Sequence, residues 1–194
     1  MDRRIGNIVR KTKETNIRAS ISLDGSGKTD IETGIGFFNH MLNSFAVHSS
    51  FDVAVNCKGD LEVDGHHTME DVGIVLGQAL AKALGSKEGI DRYGNAVIPM
   101  DEALVSCSID ICGRDCLVFN GTFTGTRIGT MDTQMVKEFF KAIASFARIT
   151  LHINILYGEN DHHKCEAIFK AFAHALKAAV MLKGDGVLST KGTL

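Results

Sequence analysis

The chain is poor in the residues that divide a protein into parts. It holds one proline against twenty glycines. No stretch is low in complexity or rich in Ser and Pro, so nothing marks a linker. We expect one domain over residues 1–194, long enough to bury a real core. No apolar run approaches the roughly 20 residues that a helix needs to cross a bilayer, and residues 1–6 have no apolar signal core behind them. We therefore expect a cytoplasmic protein with no membrane partner. The net charge of −2 leaves no basic footprint, which argues against nucleic acid. Cysteine is short of partners too. Cys57, Cys107, Cys112, Cys116 and Cys165 are odd in number and form no Cys-x-x-Cys pair, so we expect reduced, mostly buried thiols.

What the chain has is alternation, and it has it twice. Ile17, Ala19, Ile21 and Leu23 alternate with Arg18, Ser20, Ser22 and Asp24, as a strand with one buried face requires. Residues 24–27, Asp-Gly-Ser-Gly, then read as a hairpin turn. Ala103, Val105, Cys107, Ile109 and Ile111 repeat the pattern. Phe51, Val53, Val55 and Cys57 make another strand, matched by Leu151, Ile153, Ile155 and Tyr157. A helix near 36–48 carries Phe37, Met41 and Phe45. Its counterpart near 132–148 carries Met135, Phe139, Ile143 and Phe146. Longer helices begin near 66 and 162, the first with a buried stripe at Val72, Val75, Leu76, Ala79, Leu80 and Ala83. Each half thus reads strand–strand–strand–helix–strand–helix, over about 1–88 and 89–184, with a C-terminal tail. The expected fold is α+β, an internally duplicated unit whose two sheets pack on a central helix layer.

The duplication carries a chemical signal. His66-His67-Thr68-Met69-Glu70 returns as His162-His163-Lys164-Cys165-Glu166, at a constant offset (66 + 96 = 162; 70 + 96 = 166). On a helix, positions i and i+4 share a face while neighbours diverge by about 100°. His66 with Glu70 can hold one ion, and His67 needs another; the same holds for His162 with Glu166, and for His163. One such cassette could be a helix cap with exposed imidazoles, but two at a fixed offset argue for a pair of metal ions. His40 sits in the shorter first-half helix, and Glu138 is its equivalent after a two-residue slip. The repeat then gives two exchangeable sets: His40, His67, His162 and Glu166; and Glu138, His163, His66 and Glu70. Four ligands leave about two positions open on an octahedral ion. Imidazole and carboxylate without thiolate favour manganese or iron over structural zinc. His152 lies on the polar side of its strand and is left out; His48 and His174 have no symmetric support as ligands.

In this order the chain also carries Leu23-Asp24-Gly25-Ser26-Gly27, Phe38-Asn39-His40-Met41-Leu42, the stretch 64–71, Met100-Asp101-Glu102-Ala103, Thr150-Leu151-His152, the stretch 162–166 and Ser189-Thr190-Lys191-Gly192. Along essentially its whole length it resembles the imidazoleglycerol-phosphate dehydratases of histidine biosynthesis. The resemblance implies a hydro-lyase that removes water from D-erythro-imidazole-glycerol phosphate to give imidazole-acetol phosphate. It implies two Mn2+ per site, and a homo-oligomer of 24 copies built from trimers, with sites formed between subunits. It implies metal ligation by His40, His66, His67, Glu70, His162, His163, Glu166 and position 138. It makes the tail a phosphate-binding one, with Arg92, Arg114, Ser189 and Lys191 on the phosphate. It puts Glu14 on substrate and proton transfer, and brings His48 and Lys170 within substrate-contacting stretches. The expected catalytic set is Glu14, Glu70 and Glu166. Three departures stand out: Glu138 where many members have histidine, Asn39 for a more usual aspartate, and Cys112-Gly113-Arg114-Asp115 for a more usual Ser-Gly-Arg-Pro.

This chemistry suits such residues. The proton to be removed lies on a carbon with no neighbouring carbonyl, and hydroxide is a poor leaving group. An imidazole ring held by metals as imidazolate can push the hydroxyl out, after which a carboxylate such as Glu14 takes the proton. A guanidinium fork matches phosphate oxygens, and Lys191 adds a point charge. Two other readings use the same ligands: a dinuclear metal-dependent hydrolase of a small phosphorylated substrate, and a non-catalytic metal-binding assembly protein.

Overall fold

The computed structural model describes residues 3–192. The first half runs β1 (Ile5–Lys11), β2 (Thr15–Ser22), β3 (Thr29–Glu32), α1 (Gly36–Ser49), β4 (Asp52–Gly59) and α2 (His66–Leu84). The second half runs β5 (Tyr93–Met100), β6 (Ala103–Asp110), β7 (Cys116–Asn120), a two-residue pair β8 (Arg127–Ile128) and β9 (Met131–Asp132), α3 (Met135–Ala147), β10 (Thr150–Tyr157) and α4 (Asp161–Ala179). The sheets have the same order, β1-β2-β4-β3 and β5-β6-β10-β7. The lone proline, Pro99, lies on edge strand β5, where a missing N–H costs no ladder bond.

The inner faces are those that the alternation marks: Ile17, Ala19 and Ile21, and Val105, Cys107 and Ile109, are all buried. Helix α2 packs on β1 and β2 and crosses α3; α4 packs on β5 and β6 and crosses α1. Between the sheets lies an aromatic seam of Phe38, Phe139, Phe140, Phe169 and Phe172, with ring centroids 5.0 to 5.5 Å apart. Each such pair adds about 0.5–1.5 kcal/mol beyond area burial. Strand and helix approach most closely at two glycines. A Cβ on Gly6 would lie 1.9 Å from the Ala79 carbonyl oxygen, and one on Gly94 would lie 1.8 Å from that of Ala175. These carbonyls are themselves twins (79 + 96 = 175).

Two local expectations need correction. The turn at 24–27 does not close a hairpin. The free edge of β2 is taken by the eight-residue β4, and the chain crosses over so that β3 pairs parallel with the far side of β4. Asp52 organises that crossover, its Oδ1 accepting from the backbone N–H of Ser26 (2.8 Å) and Lys28 (3.0 Å). Helix α3 begins at 135 rather than near 132, because Met131 and Asp132 are spent on β9, and its Phe146 is 40% exposed. The thiols of Cys57, Cys107, Cys112 and Cys165 are buried and that of Cys116 is exposed; all five are free. Among the described residues no helix is long and apolar enough to cross a membrane.

Candidate metal centre

Both cassettes sit at helix starts where a side chain two residues upstream accepts from the first histidine's N–H. On α4 it is the N-cap Asn160, and on α2 it comes from just before the N-cap Gly65. Asp64 accepts from the His66 N–H at 2.7 Å, and Asn160 from the His162 N–H at 2.9 Å. Such caps satisfy the orphan amides of a first turn. One helical turn on, residues 70 and 166 share a face with residues 66 and 162. His66 and Glu70 lie 3.5 Å apart, and His162 and Glu166 3.2 Å apart.

Because α4 crosses α1, a third side chain joins the second pair. His40 Nε2 lies 3.5 Å from Glu166 Oε2. One ligand atom from each of His40, His162 and Glu166 falls within 4.8 Å of the other two. Phe37 packs edge-on to both imidazoles, its centroid 4.9 Å from that of His162 and 6.2 Å from that of His40. The Glu166 carboxylate is buried and its other oxygen receives Lys170 Nζ at 2.6 Å. Burial raises its pKa, but Lys170, His162 and His40 outweigh that and the net shift is downward. A charged carboxylate between two imidazoles suits a hard or borderline divalent cation, and with no thiolate among the three it does not suit a soft one.

The remaining candidates are placed apart from this cluster. His67 Nδ1 is held by Asp60 at 3.0 Å, and its Nε2 faces Glu14 Oε1 at 3.8 Å. His163 Nδ1 is held by Glu102 at 2.7 Å, with Asp101 at 3.6 Å. Those carboxylates raise both imidazole pKa values, the hydrogen bond being the largest cause in each case. Glu102 falls to about 2, chiefly because the Asn160 backbone N–H donates to it and then because His163 does. Carboxylates that fix the orientation of an imidazole in this way are common behind metal-ligating histidines. Sequence reasoning did not single out Asp60 or Glu102 for this role. The signal for Glu102 was present, since it is the hairpin twin of Glu14 (14 + 88 = 102). Glu138 lies on α3 beside Lys141, 3.2 Å away.

A second site forms where the tail folds back. Beyond α4 the chain pairs with the connector between the halves. Asp91 N donates to Met181 O (2.8 Å), Lys183 N to Gly89 O (2.8 Å), and Lys183 Nζ pairs with Asp91 at 2.5 Å. Ser189 and Lys191 thereby join Arg92, Arg114, Tyr93 and Cys112 around an open cavity of about 830 Å³. Arg92 is braced on both sides: Nε and Nη2 donate to Asp110 (2.6 and 3.1 Å), and Nη1 to the Leu188 carbonyl (2.8 Å). Lys170 also reaches Met100 Sδ at 3.5 Å. One α-helical step beyond Lys170, His174 Nε2 stands 3.2 Å from His48 Nδ1. Burial, then Lys170 and His174, lower the His48 pKa.

The comparisons with known proteins agree with one another. The family model described as imidazoleglycerol-phosphate dehydratase matches residues 33–176. The protein of that name from Methanosarcina mazei is 57% identical over 191 residues, covering 98% of this chain and all of its own length. The one from Clostridium botulinum (strain Langeland) is 56% identical over 196 residues, with both chains fully covered. Among solved structures, the Staphylococcus aureus enzyme superimposes with a TM-score of 0.84 at 42% identity, over 92% of this chain and 99% of its own. The Pyrococcus furiosus enzyme in complex with (S)-C348 gives 0.83 at 38% identity, over 96% and 100%. The chain belongs to the imidazoleglycerol-phosphate dehydratase family.

Proposed function

We propose that the chain is a hydro-lyase of histidine biosynthesis, converting D-erythro-imidazole-glycerol phosphate to imidazole-acetol phosphate and water. The observation that carries this reading is the meeting of His40, His162 and Glu166 at crossing helices in a chain of this family. Two Mn2+ ions per site would be held by His40, His67, His162 and Glu166, and by Glu138, His163, His66 and Glu70. Bound there, divalent cations supply a template and positive charge for the substrate's imidazole. In this chain His67 is held by Asp60, apart from the three-ligand cluster, which supports its donation to a neighbouring copy. Exposed Val9, Tyr93 and Val97 on β1 and β5 support an assembly of copies, which we take to be the 24-mer built from trimers. The free thiols support a reducing compartment, the cytoplasm.

The protein's own groups divide the work. Arg92 and Arg114 bind the phosphate by their forks, with Ser189 and Lys191 closing over it. Phosphate so fixed anchors one end of the substrate and orients the carbon that loses its proton. Glu14, 53% exposed on the β1–β2 turn beside His67, accepts that proton. Hydroxide leaves from the neighbouring carbon, and the enol relaxes to the ketone. Glu70 and Glu166 act through their charge on the ions. His48 and Lys170 contact substrate beside the cluster. The test is purified protein with Mn2+ and imidazole-glycerol phosphate, with the enolised ketone followed by absorbance. Glu14→Gln should retain metal and substrate but lose most turnover, and undiminished turnover would reject its role.

A further inference from the structure

The duplication supplies an internal control for every position beneath the two hairpins. Register fixes the equivalence: Gly6 pairs with Ile21 as Gly94 pairs with Ile109, and Lys11 with Asn16 as Pro99 with Leu104. The offset is 88 along the hairpins and 96 along α2 and α4. Glu14 and Glu102 are therefore twins at the turns.

Beneath Glu14 the packing is polar. Asp71 is buried on α2, one residue beyond Glu70, and its Oδ2 accepts from Thr15 Oγ1 at 2.5 Å. The same oxygen pairs with the Arg10 guanidinium. Thr12 shapes the turn, its Oγ1 accepting from the backbone N–H of Glu14 (3.1 Å) and of Thr15 (2.9 Å). The Glu14 carbonyl in turn accepts from Asp60 N at 3.1 Å. Beneath Glu102 the twin positions are Ile98, Met100, Ala103 and Ala167 (10, 12 and 15 + 88; 71 + 96). The same hairpin closes over the same helix with apolar side chains.

A part-buried ion pair such as Arg10–Asp71 adds little stability over apolar residues of similar volume, and the second half shows that this fold manages without one. The polar set calls for a reason other than folding, and the twin carboxylates differ in what they do. Glu102 spends its oxygens on the Glu159 and Asn160 N–H groups and on His163. Glu14 has its backbone tied at N–H and carbonyl while its carboxylate stays open. A proton acceptor needs both a fixed position and free oxygens.

We infer that Arg10, Thr15 and Asp71 are positioning residues for Glu14, a brace that locks the β1–β2 turn to α2 so that the carboxylate needs no anchoring bond of its own. This rests on the reading of Glu14 as the proton acceptor. The test transplants the second half's solution: Arg10→Ile with Thr15→Ala and Asp71→Ala in the full assembly loaded with Mn2+. Asp71→Asn, which keeps shape and loses charge, serves if the triple variant does not fold. The brace predicts normal assembly, unchanged Mn2+ content, KM within about twofold and kcat reduced about 10- to 100-fold. In a Glu14→Gln background the same changes should lower kcat by less than about twofold further, since coupled groups are not additive. Wild-type kcat in the triple variant, with Glu14→Gln defective, overturns the brace alone. A full additional loss on top of Glu14→Gln, or loss of metal in step with activity, also overturns it. Full activity in Glu14→Gln removes the reading on which it stands.

Discussion

Gly94→Ala is the sharpest structural test of how the sheets and helices are locked together. The added methyl carbon would lie 1.8 Å from the Ala175 carbonyl oxygen and 2.9 Å from the Ala179 nitrogen. Ordinary contact begins at 3.4 Å, so β5 must lift from α4 by up to 1.6 Å (3.4 less 1.8). Both colliding partners are backbone, so no side chain can swing away. Overpacking a core typically costs about 1–3 kcal/mol, and this geometry belongs at the top of that range. For a chain of this size 1 kcal/mol moves the melting temperature by about 2–4 °C, so a fall of about 6–12 °C is expected. Gly6→Ala, whose methyl would sit 1.9 Å from the Ala79 oxygen, should behave alike. The assay is thermal unfolding at fixed protein and Mn2+ concentration, since bound metal and assembly both shift the midpoint. Gly94 also lies two residues from Arg92, so its variant should weaken substrate binding where Gly6→Ala does not. A shift under about 3 °C in either variant refutes the close approach.

Other consequences can be measured directly. Arg92→Lys removes one of two bonds to Asp110 or the bond to Leu188 O. At about 1.5–3 kcal/mol for a bond to a charged group, KM for the phosphorylated substrate should rise at least tenfold with kcat little changed; an unaltered KM would remove Arg92 from the phosphate site. Glu138→Gln should lower the metal bound per chain relative to the unaltered protein by metal analysis, and full retention would end its candidacy as a ligand. Asp24 pairs with Arg4, whose hydrogen bond, against opposing burial, lowers its carboxyl pKa. A carboxylate lowered in the fold adds stability above the unfolded value of about 3.9 and loses it as pH falls from there through the lower folded value. Asp24→Asn should therefore cost under about 1 kcal/mol at pH 7, because the pair is solvent-screened, and progressively less as acid protonates the carboxylate; a cost that does not fall on acidification contradicts the linkage.

What the sequence made legible follows from its regularities. Ile17, Ala19 and Ile21 announce a half-buried strand because each period-2 position meets the same core. His66–Glu70 and His162–Glu166 stand out because duplication repeats them at one offset. β3 announces nothing: its four residues are mostly exposed, so no alternation betrays its place beyond β4. Asp60 holds His67 from a loop, where no periodicity operates. Arg10 and Asp71 meet across 61 positions, and each alone reads as a solvated charge. The repeat already grouped His40 with His162 and Glu166, and the α1–α4 crossing is what brings the three side chains within reach of one another.

The twin helices also show where the halves have parted. Along one face of α4, at four-residue steps, stand His162, Glu166, Lys170 and His174; the matching positions of α2 are His66, Glu70, Ile74 and Gln78. Opposite them, α1 offers His48 where α3 offers Phe146 (48 + 98). On this face the cassettes are preserved for one turn, and the next two positions differ. Two identical halves would treat both ends of a ligand alike, and no duplicated site could then tell a phosphate end from a heterocyclic end. A cationic extension from Glu166 through Lys170, present on α4 and replaced by Ile74 on α2, breaks that equivalence. The symmetric part of the chain is suited to a pair of like ions, and the asymmetric part to a single orientation of whatever those ions hold.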